Sequence, residues 1–579
     1  MHVGYLVKKL TEIKMILETQ ERIQEYSSYW QNKTVDEIFT ETVNKYKNKK
    51  ALVDPFNRED FTLGKPQQFT FAELEKKVIQ LATVLINNGI KKDDIVGVYL
   101  PNIHELPLTL LALAKIGAIA SPYPPQIREL GLIKMGAFTE IKTIITLKQF
   151  KDRNLVELTN SIKKDIPSLQ VIFAFGLNQN LKETISLDTE IEKITDNNVI
   201  KEYQNNNSID PNDIFSICWT SGTTGMPKGV PRSHNLWSAL ALASIDGADI
   251  KPETNFLNPF PIVNMAGIGG AFIPWIFTGC KMVMHQSFDL QVYLQQISKE
   301  KISYTVAPPT ILNLLLKNEA ILDNTDITTL KTIGSGSAPL SHWMIKSWKE
   351  KYNIDITNFF GSNEGSCFIG DPKSIPDLEK RALYFPAFGL DKKNFNHIKV
   401  QRGIESKLIS LTTKKPVTKT GIEGELYLKG PLIITGYYKS PETNKKVFDD
   451  EGYFKTGDVF RIVEDEKGIK YYEFIERDKD IIIRGGFNIS PTTIENLLQD
   501  FNKIKECAIV GYPDSVLGEK IALFVVKNQD IDTTLKEVIT HLKSKKIASY
   551  KLPEKLITIN ELPKNAVGKI LRKELRAKF

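Results

Sequence analysis

The 579-residue sequence predicts an α/β protein of more than one domain, and three observations carry that expectation. The chain is too long for one ordinary hydrophobic core. From Ala51 to about Gly279, and on to Gly334, short apolar runs alternate with helical stretches, which is the pattern of a parallel sheet covered on both faces. From Ile398 to Tyr472 the runs become strand-rich with tight turns. The expected architecture is a large N-terminal domain of parallel or mixed sheets with helices on both faces, a small β-barrel-like subdomain, and a smaller α+β C-terminal domain.

In chain order, residues 1–30 place Leu6, Leu10, Ile13 and Leu17 at helical spacing among lysines and glutamates, an amphipathic helix that docks on the body of the protein. Phe71–Gly89 is an apolar-periodic helix, Ile95–Leu100 a strand and Leu106–Ile116 a helix. Thr143–Thr146 and Val171–Phe175 are further strands. The polar stretch Gln204–Asn212 is a loop leading into the strand Ile214–Cys218. Lys281–Met284, Tyr304–Ala307 and Thr332–Gly334 read as strands, separated by the helices Asp289–Lys299 and Thr310–Lys317. In the last hundred residues, Ala508–Val510 and Ala522–Val526 read as strands and Thr492–Leu498 and Thr534–Lys545 as helices. The main domain boundary falls at Arg477–Lys479, dividing the chain into 1–30, 31–476 and 477–579.

Hydrophobic residues at 41% and charged residues at 25% describe a soluble globular protein. The net charge of +7, from 76 basic and 69 acidic side chains, suits anionic substrates. The basic tail, from Lys564 to Lys578, comes without a nucleic-acid motif, so no nucleic-acid partner is expected. Cys218, Cys280, Cys367 and Cys507 are too dispersed for a zinc site or a disulfide framework, and fit a reducing cytoplasm. No secretory signal is visible, and no run reaches the ~18 apolar residues of a membrane span. The nearest approach, Met265–Cys280, is interrupted by glycines and a proline.

The strongest local signal is Trp219-Thr-Ser-Gly-Thr-Thr-Gly-Met-Pro-Lys-Gly-Val230, with four hydroxyls and three glycines in twelve residues. A strand ending in such a segment offers N–H groups, hydroxyls and the Lys228 ammonium to an anion, and the expected guest is a nucleotide phosphate. Lys228 is followed by Gly229, so this is not a Walker A loop, which needs Ser or Thr there to hold magnesium.

This segment resembles the signature loop of the adenylate-forming superfamily, which includes acyl-CoA synthetases, aryl-CoA ligases, luciferases and peptide-synthetase adenylation domains. The resemblance extends over residues 30–579 through further motifs in family order. It assigns Thr220, Ser221, Gly222, Thr223, Thr224, Gly225 and Lys228 to ATP, with Thr223 among the catalytic residues. Ser335-Gly336-Ser337-Ala338-Pro339-Leu340 is similar to the segment lying along adenine and the acyl group. Phe360-Gly361-Ser362-Asn363-Glu364 is similar to the aromatic-Gly-x-Thr-Glu motif. There Phe360 would stack on adenine, Asn363 stand in for Thr at the α-phosphate, and Glu364 ligate Mg²⁺, a hard cation that prefers oxygen. Asp458, in Tyr453-Phe-Lys-Thr-Gly-Asp458, would accept from the ribose hydroxyls. Arg477 would bind ribose or phosphate, and Lys479 aligns with the hinge of a mobile C-terminal domain. Gly485 and Gly486 would line the pantetheine tunnel, and Lys569 would contact the substrate carboxylate and α-phosphate. Asn264 stands where many members have His. With Met265 and Gly269 it would border an apolar acyl pocket.

The resemblance implies ATP, Mg²⁺ and coenzyme A, and a hydrophobic fatty, alicyclic or aromatic carboxylic acid as substrate. Within the superfamily the sequence is most similar to acyl- or aryl-CoA ligases of the cyclohexanecarboxylate, medium-chain and dihydroxybenzoate type. Two alternatives are a stand-alone adenylating enzyme that loads a separate acyl carrier protein, and a catalytically silent acyl- or nucleotide-binding homologue.

Overall fold

The computed structural model describes residues 20–579, apart from 221–226, 287, 337–338, 392–393, 396, 485–486, 515, 529–530, 546 and 565–568. Leu6, Leu10, Ile13 and Leu17 therefore lie outside the described residues. Among those described, no helix is long and apolar enough to cross a membrane.

Two sheets hold most of residues 50–370. The first runs in the order Cys367–Gly370, Asp355–Gly361, Thr332–Gly336, Tyr304–Val306, Asn255–Asn258, Lys281–Met284, Lys50–Val53, Gln68–Thr70. Its interior pairs are parallel and its two edge pairs antiparallel. The second runs Lys228–Ser233, Ile214–Thr220, Ile119–Pro122, Ile95–Val98, Thr143–Leu147, Val171–Phe175, Thr184–Ser186. It is parallel except for the pairing of Ile214–Thr220 with Lys228–Ser233. Burial explains the apolar runs: every residue of Ile95–Val98 and Thr143–Leu147 is covered. Strands in a sheet covered on both faces have no solvent side to pattern.

The helices follow from their caps as well as their periodicity. Phe71–Asn87 starts at Thr70, whose hydroxyl accepts from Glu73 N–H while the Glu73 carboxylate accepts from Thr70 N–H. That reciprocal cap satisfies two otherwise orphaned donors. Its buried face, including Phe71, Leu74, Val78 and Leu81, joins the largest core cluster.

The strand-rich stretch forms an antiparallel sheet, Tyr384–Pro386, Lys470–Arg477, Phe454–Glu464, Glu423–Lys429, Glu405–Ile409, Pro416–Val417. The barrel-like expectation is corrected here. The first and last strands are edges that do not pair with each other, so the sheet stays open. Beyond Arg477 a further sheet runs Phe487–Ile489, Ile482–Arg484, Gly518–Lys527, Ile504–Asp514, with Lys555–Thr558 parallel to Gly518–Lys527. Its two long strands, Gly518–Lys527 and Ile504–Asp514, form an antiparallel pair whose residues divide between two apolar clusters.

Residues 20–30 are docked. Tyr26 and Trp30 are buried, Trp30 Nε1 donates to the Pro431 carbonyl at 3.0 Å, and Arg22 donates to the Ile433 carbonyl at 2.9 Å.

Candidate functional site

Thr220 and Lys228 face each other at the ends of the antiparallel pair Ile214–Thr220 and Lys228–Ser233. Ser221, Gly222, Thr223, Thr224 and Gly225 lie outside the described residues. The return strand carries Pro231 opposite Ile217, which is tolerated because the strand is the sheet's edge and the missing N–H costs no ladder bond. The Lys228 ammonium sits over the Tyr437 ring, 4.7 Å from its centroid.

The strand Asp355–Gly361 ends in a tight turn in which Gly365 N–H donates to Ser362 O and Ser362 N–H to Ser366 O, both at 3.0 Å. Gly365 has φ +105°, and a Cβ there would lie 1.9 Å from the Leu432 carbonyl oxygen, so only glycine fits. The turn thus lies directly on the segment that residues 22 and 30 hold from elsewhere. Glu364 is 8% exposed; its carbonyl accepts from Ile434 N–H at 3.0 Å and its Oε1 from the Tyr437 hydroxyl at 2.7 Å.

Asn363 is engaged at both ends of its amide. Oδ1 accepts from Met265 N–H at 2.8 Å and Nδ2 donates to the Trp219 carbonyl at 3.2 Å. It ties the end of the nucleotide-segment strand to the start of the short helix Met265–Gly267. Asn264 caps that helix, its Oδ1 accepting from Gly267 N–H at 3.2 Å. The two asparagines that depart from the family pattern therefore act on the same turn. Asn264 and Met265 are half-buried, and a Cβ on Gly361 would meet the Met265 methyl at 2.1 Å. Gly269 lies in a π-helical turn, Ile268–Phe272, and faces Leu240 and Trp237 of the helix His234–Ala248, where a Cβ would lie 2.3 Å from Leu240. Its missing side chain serves that close helix–helix approach.

Phe360 is half-buried among aromatic rings, with centroids at 5.1 Å to Phe460 and 5.8 Å to both Phe385 and Phe474. These edge-on and tilted contacts hold its ring in place. Gly336 pairs with Phe359, and a Cβ would lie 2.2 Å from the Phe359 carbonyl oxygen, so strand approach demands glycine. Ser337 and Ala338 lie outside the described residues, and Pro339 is half-buried.

Asp458 stands opposite Arg477 in the sheet, with Arg477 Nε 2.6 Å from its Oδ1. Burial at 1% exposure pushes the Asp458 carboxyl up to about 6, against the pull of Arg477 and Lys569, with Glu364 and Glu476 adding to the rise. Burial likewise brings Lys569 down to about 8; Arg477 and Lys479 add to this, and Asp458 and Asp480 oppose it. The structure thus places Glu364, Arg477, Lys479 and Lys569 within electrostatic reach of Asp458, so that four separate stretches of chain meet around that carboxylate.

Lys479 lies in the turn Asp478–Asp480, and Arg576 donates to the carbonyls of Lys479 and Asp480 at 3.0 and 3.2 Å. Gly485 and Gly486 lie outside the described residues; the flanking strands Ile482–Arg484 and Phe487–Ile489 are antiparallel partners. The sequence gives no role to three further participants. Glu476, 2% exposed, accepts from Thr492 N–H at 3.0 Å and anchors the helix Pro491–Leu497 to the end of the strand Lys470–Arg477. Arg572 pairs with Glu495 at 2.6 Å. Tyr437 contacts both Glu364 and Lys228. A separate buried group, Asp54, His104 and Glu105, could hold a metal ion, but the Arg58 guanidinium already pairs with both carboxylates.

Residues 39–438 match the family described as AMP-binding enzyme, and residues 493–569 match the AMP-binding enzyme C-terminal domain. The chain belongs to the AMP-binding enzyme family. Among curated relatives of this AMP-binding enzyme, it is 27% identical to the medium-chain fatty-acid–CoA ligase of Escherichia coli (strain K12), over 94% of this chain and 90% of that one. It is 25% identical to 4-coumarate–CoA ligase 2 of Nicotiana tabacum, covering 93% of each. The anthranilate CoA ligase AuaEII, solved with anthranoyl-AMP, shares the fold at a TM-score of 0.79 and 22% identity, over 94% of this chain and 98% of that one. ATP-bound MatB from Rhodopseudomonas palustris matches at a TM-score of 0.75 and 22% identity, over 94% and 99%.

Proposed function

We propose that this AMP-binding enzyme is an ATP-dependent acid–CoA ligase acting on a hydrophobic fatty, alicyclic or aromatic carboxylic acid. The observation that supports the reading is the gathering of Glu364, Arg477 and Lys569 around the buried Asp458 carboxylate. A carboxylate oxygen of the acid attacks the α-phosphorus of ATP, the bond to the β-phosphate oxygen breaks, and pyrophosphate leaves. The CoA thiolate then attacks the acyl carbonyl, the carbon–oxygen bond to AMP breaks, and the thioester forms. Catalysis of the first step is positioning and charge stabilisation.

In this reading Asp458 accepts from the ribose hydroxyls, Arg477 neutralises its charge and reaches ribose or phosphate, and Phe360 is the adenine platform. Lys228 meets the phosphates with Thr220 and the Ser221–Gly225 segment. Lys569 holds positive charge where the acid and the α-phosphate gain negative charge; a placed charge-stabilising group of this kind is worth on the order of 10²–10³ in rate. Glu364, a buried hard carboxylate, fits Mg²⁺ and would hold it, and the ion would neutralise charge on the triphosphate. Asn264 and Met265 border the acid.

After the first step the residues beyond Lys479 turn, and Lys569 withdraws so that the thiol can reach the acyl group.

The test is a panel of carboxylic acids. Acid-dependent exchange of pyrophosphate into ATP and CoA-dependent AMP release are both expected. Exchange without CoA-dependent release would transfer the acyl group to a carrier protein. Failure of every acid to support exchange would remove the proposal.

A further inference from the structure

Glu364 and Lys228 belong to different sheets, yet one ring touches both. Tyr437 donates its hydroxyl to Glu364 Oε1 at 2.7 Å, and the Lys228 ammonium lies over the ring face at 4.7 Å. The tyrosine is 5% exposed and is itself held at its backbone. Its N–H donates to Asn444 Oδ1 at 2.8 Å, and Asn444 Nδ2 donates back to its carbonyl at 3.2 Å. The next residue, Tyr438, donates its N–H to the Gly229 carbonyl at 2.9 Å, beside Lys228. At Gly436 a Cβ would lie 2.6 Å from Asn444 Nδ2, so the approach of Asn444 depends on that glycine.

We propose that Tyr437 is a positioning residue: its hydroxyl aims the Glu364 carboxylate toward the metal that accompanies ATP, and its ring seats Lys228 for the phosphates. This rests on the roles of Glu364 and Lys228 given under the proposed function. The physical case is geometric. A glutamate reaching from a tight turn has several torsions to fix, and a hydrogen bond from a rigid, buried phenol fixes the carboxylate before substrate arrives. A tyrosine side chain has two torsions and two recognition surfaces, the hydroxyl and the π face. Here both surfaces are used, each on a different part of the site.

The test is ATP binding to the full chain by isothermal titration calorimetry, with Mg²⁺ and again with EDTA. In the unaltered protein Mg²⁺ strengthens ATP binding. Tyr437→Phe keeps the ring and removes the hydroxyl, so the gain from Mg²⁺ is expected to shrink about tenfold, the scale of losing one hydrogen bond to a charged group. ATP affinity in EDTA should be unchanged. In a Glu364→Gln background the gain from Mg²⁺ is already lost, and adding Tyr437→Phe should change nothing more. Tyr437→Leu should weaken ATP binding in EDTA as well, because it also removes the seat of Lys228.

An unchanged Mg²⁺ gain in Tyr437→Phe would overturn the proposal, as would an equal loss with and without Mg²⁺. A Tyr437→Phe effect that persists beside Glu364→Gln would do the same. The failure of the broader reading is a separate result, namely no acid-dependent exchange in the unaltered protein, whereas these titrations require neither acid nor turnover.

Discussion

Lys569 and Asp458 ionise closer together than free lysine and aspartate do, because burial disfavours the charge on each. In the proposed mechanism Lys569 serves as an ammonium and is held down to about 8, so adenylation should fall as pH rises through that value. In the same mechanism Asp458 serves as a carboxylate and is held up to about 6, so activity should also fall as pH drops through that value. The kcat/KM for ATP in pyrophosphate exchange should therefore be bell-shaped, with limbs near 6 and 8. Lys569→Arg should push the alkaline limb out of range, since guanidinium stays protonated. A profile flat from pH ~6 to ~9 would contradict this assignment. At this scale the sequence showed the groups that sit in local patterns, Glu364 beside Gly361 and Asp458 after Thr456-Gly457. It gave no role to Tyr437, whose partner Glu364 is 73 positions away, and was silent on Glu476, which binds the backbone of Thr492. Such contacts leave no trace in spacing. Nor did it show that both ends of the Asn363 amide are spent on Met265 and Trp219.

Among elements, the turn after Asp355–Gly361 is the most constrained part of the site. Gly365→Ala would bring a methyl to 1.9 Å from the Leu432 carbonyl oxygen in a left-handed backbone conformation. It should destabilise the protein by about 2 kcal/mol or more. Gly421→Ala is the matched control, with φ +81° and open space, and should cost only the ~1–2 kcal/mol of that conformation. Urea unfolding of both variants checks the difference, and equal costs would show that the contact yields. Most strands were legible because full burial leaves unbroken apolar runs, as at Thr143–Leu147. The return strand Lys228–Ser233 was not, since Lys228, Pro231 and Arg232 hide it. Its Arg232 is fully buried by hydrogen bonds to the Asn363, Leu236 and Leu432 carbonyls. The open antiparallel sheet was misjudged as barrel-like because alternation within strands does not say whether the first meets the last.

For the molecule as a whole, Lys569 lies within electrostatic reach of Asp458 and Arg477 from the C-terminal stretch, and in the proposed mechanism it acts in the first half-reaction. Lys569→Ala should abolish pyrophosphate exchange yet leave thioester formation from a supplied acyl-adenylate largely intact. Equal loss of both half-reactions would argue against a turning C-terminal part. Arg22 and Trp30 bond to the carbonyls of Ile433 and Pro431, while Ile434 and Leu432 press on Glu364 and Gly365. Anyone trimming the protein to begin at residue 39, where the family match starts, would strip the brace from behind the turn that carries Glu364 and purify an enzyme weakened at its centre by a cut made at its end.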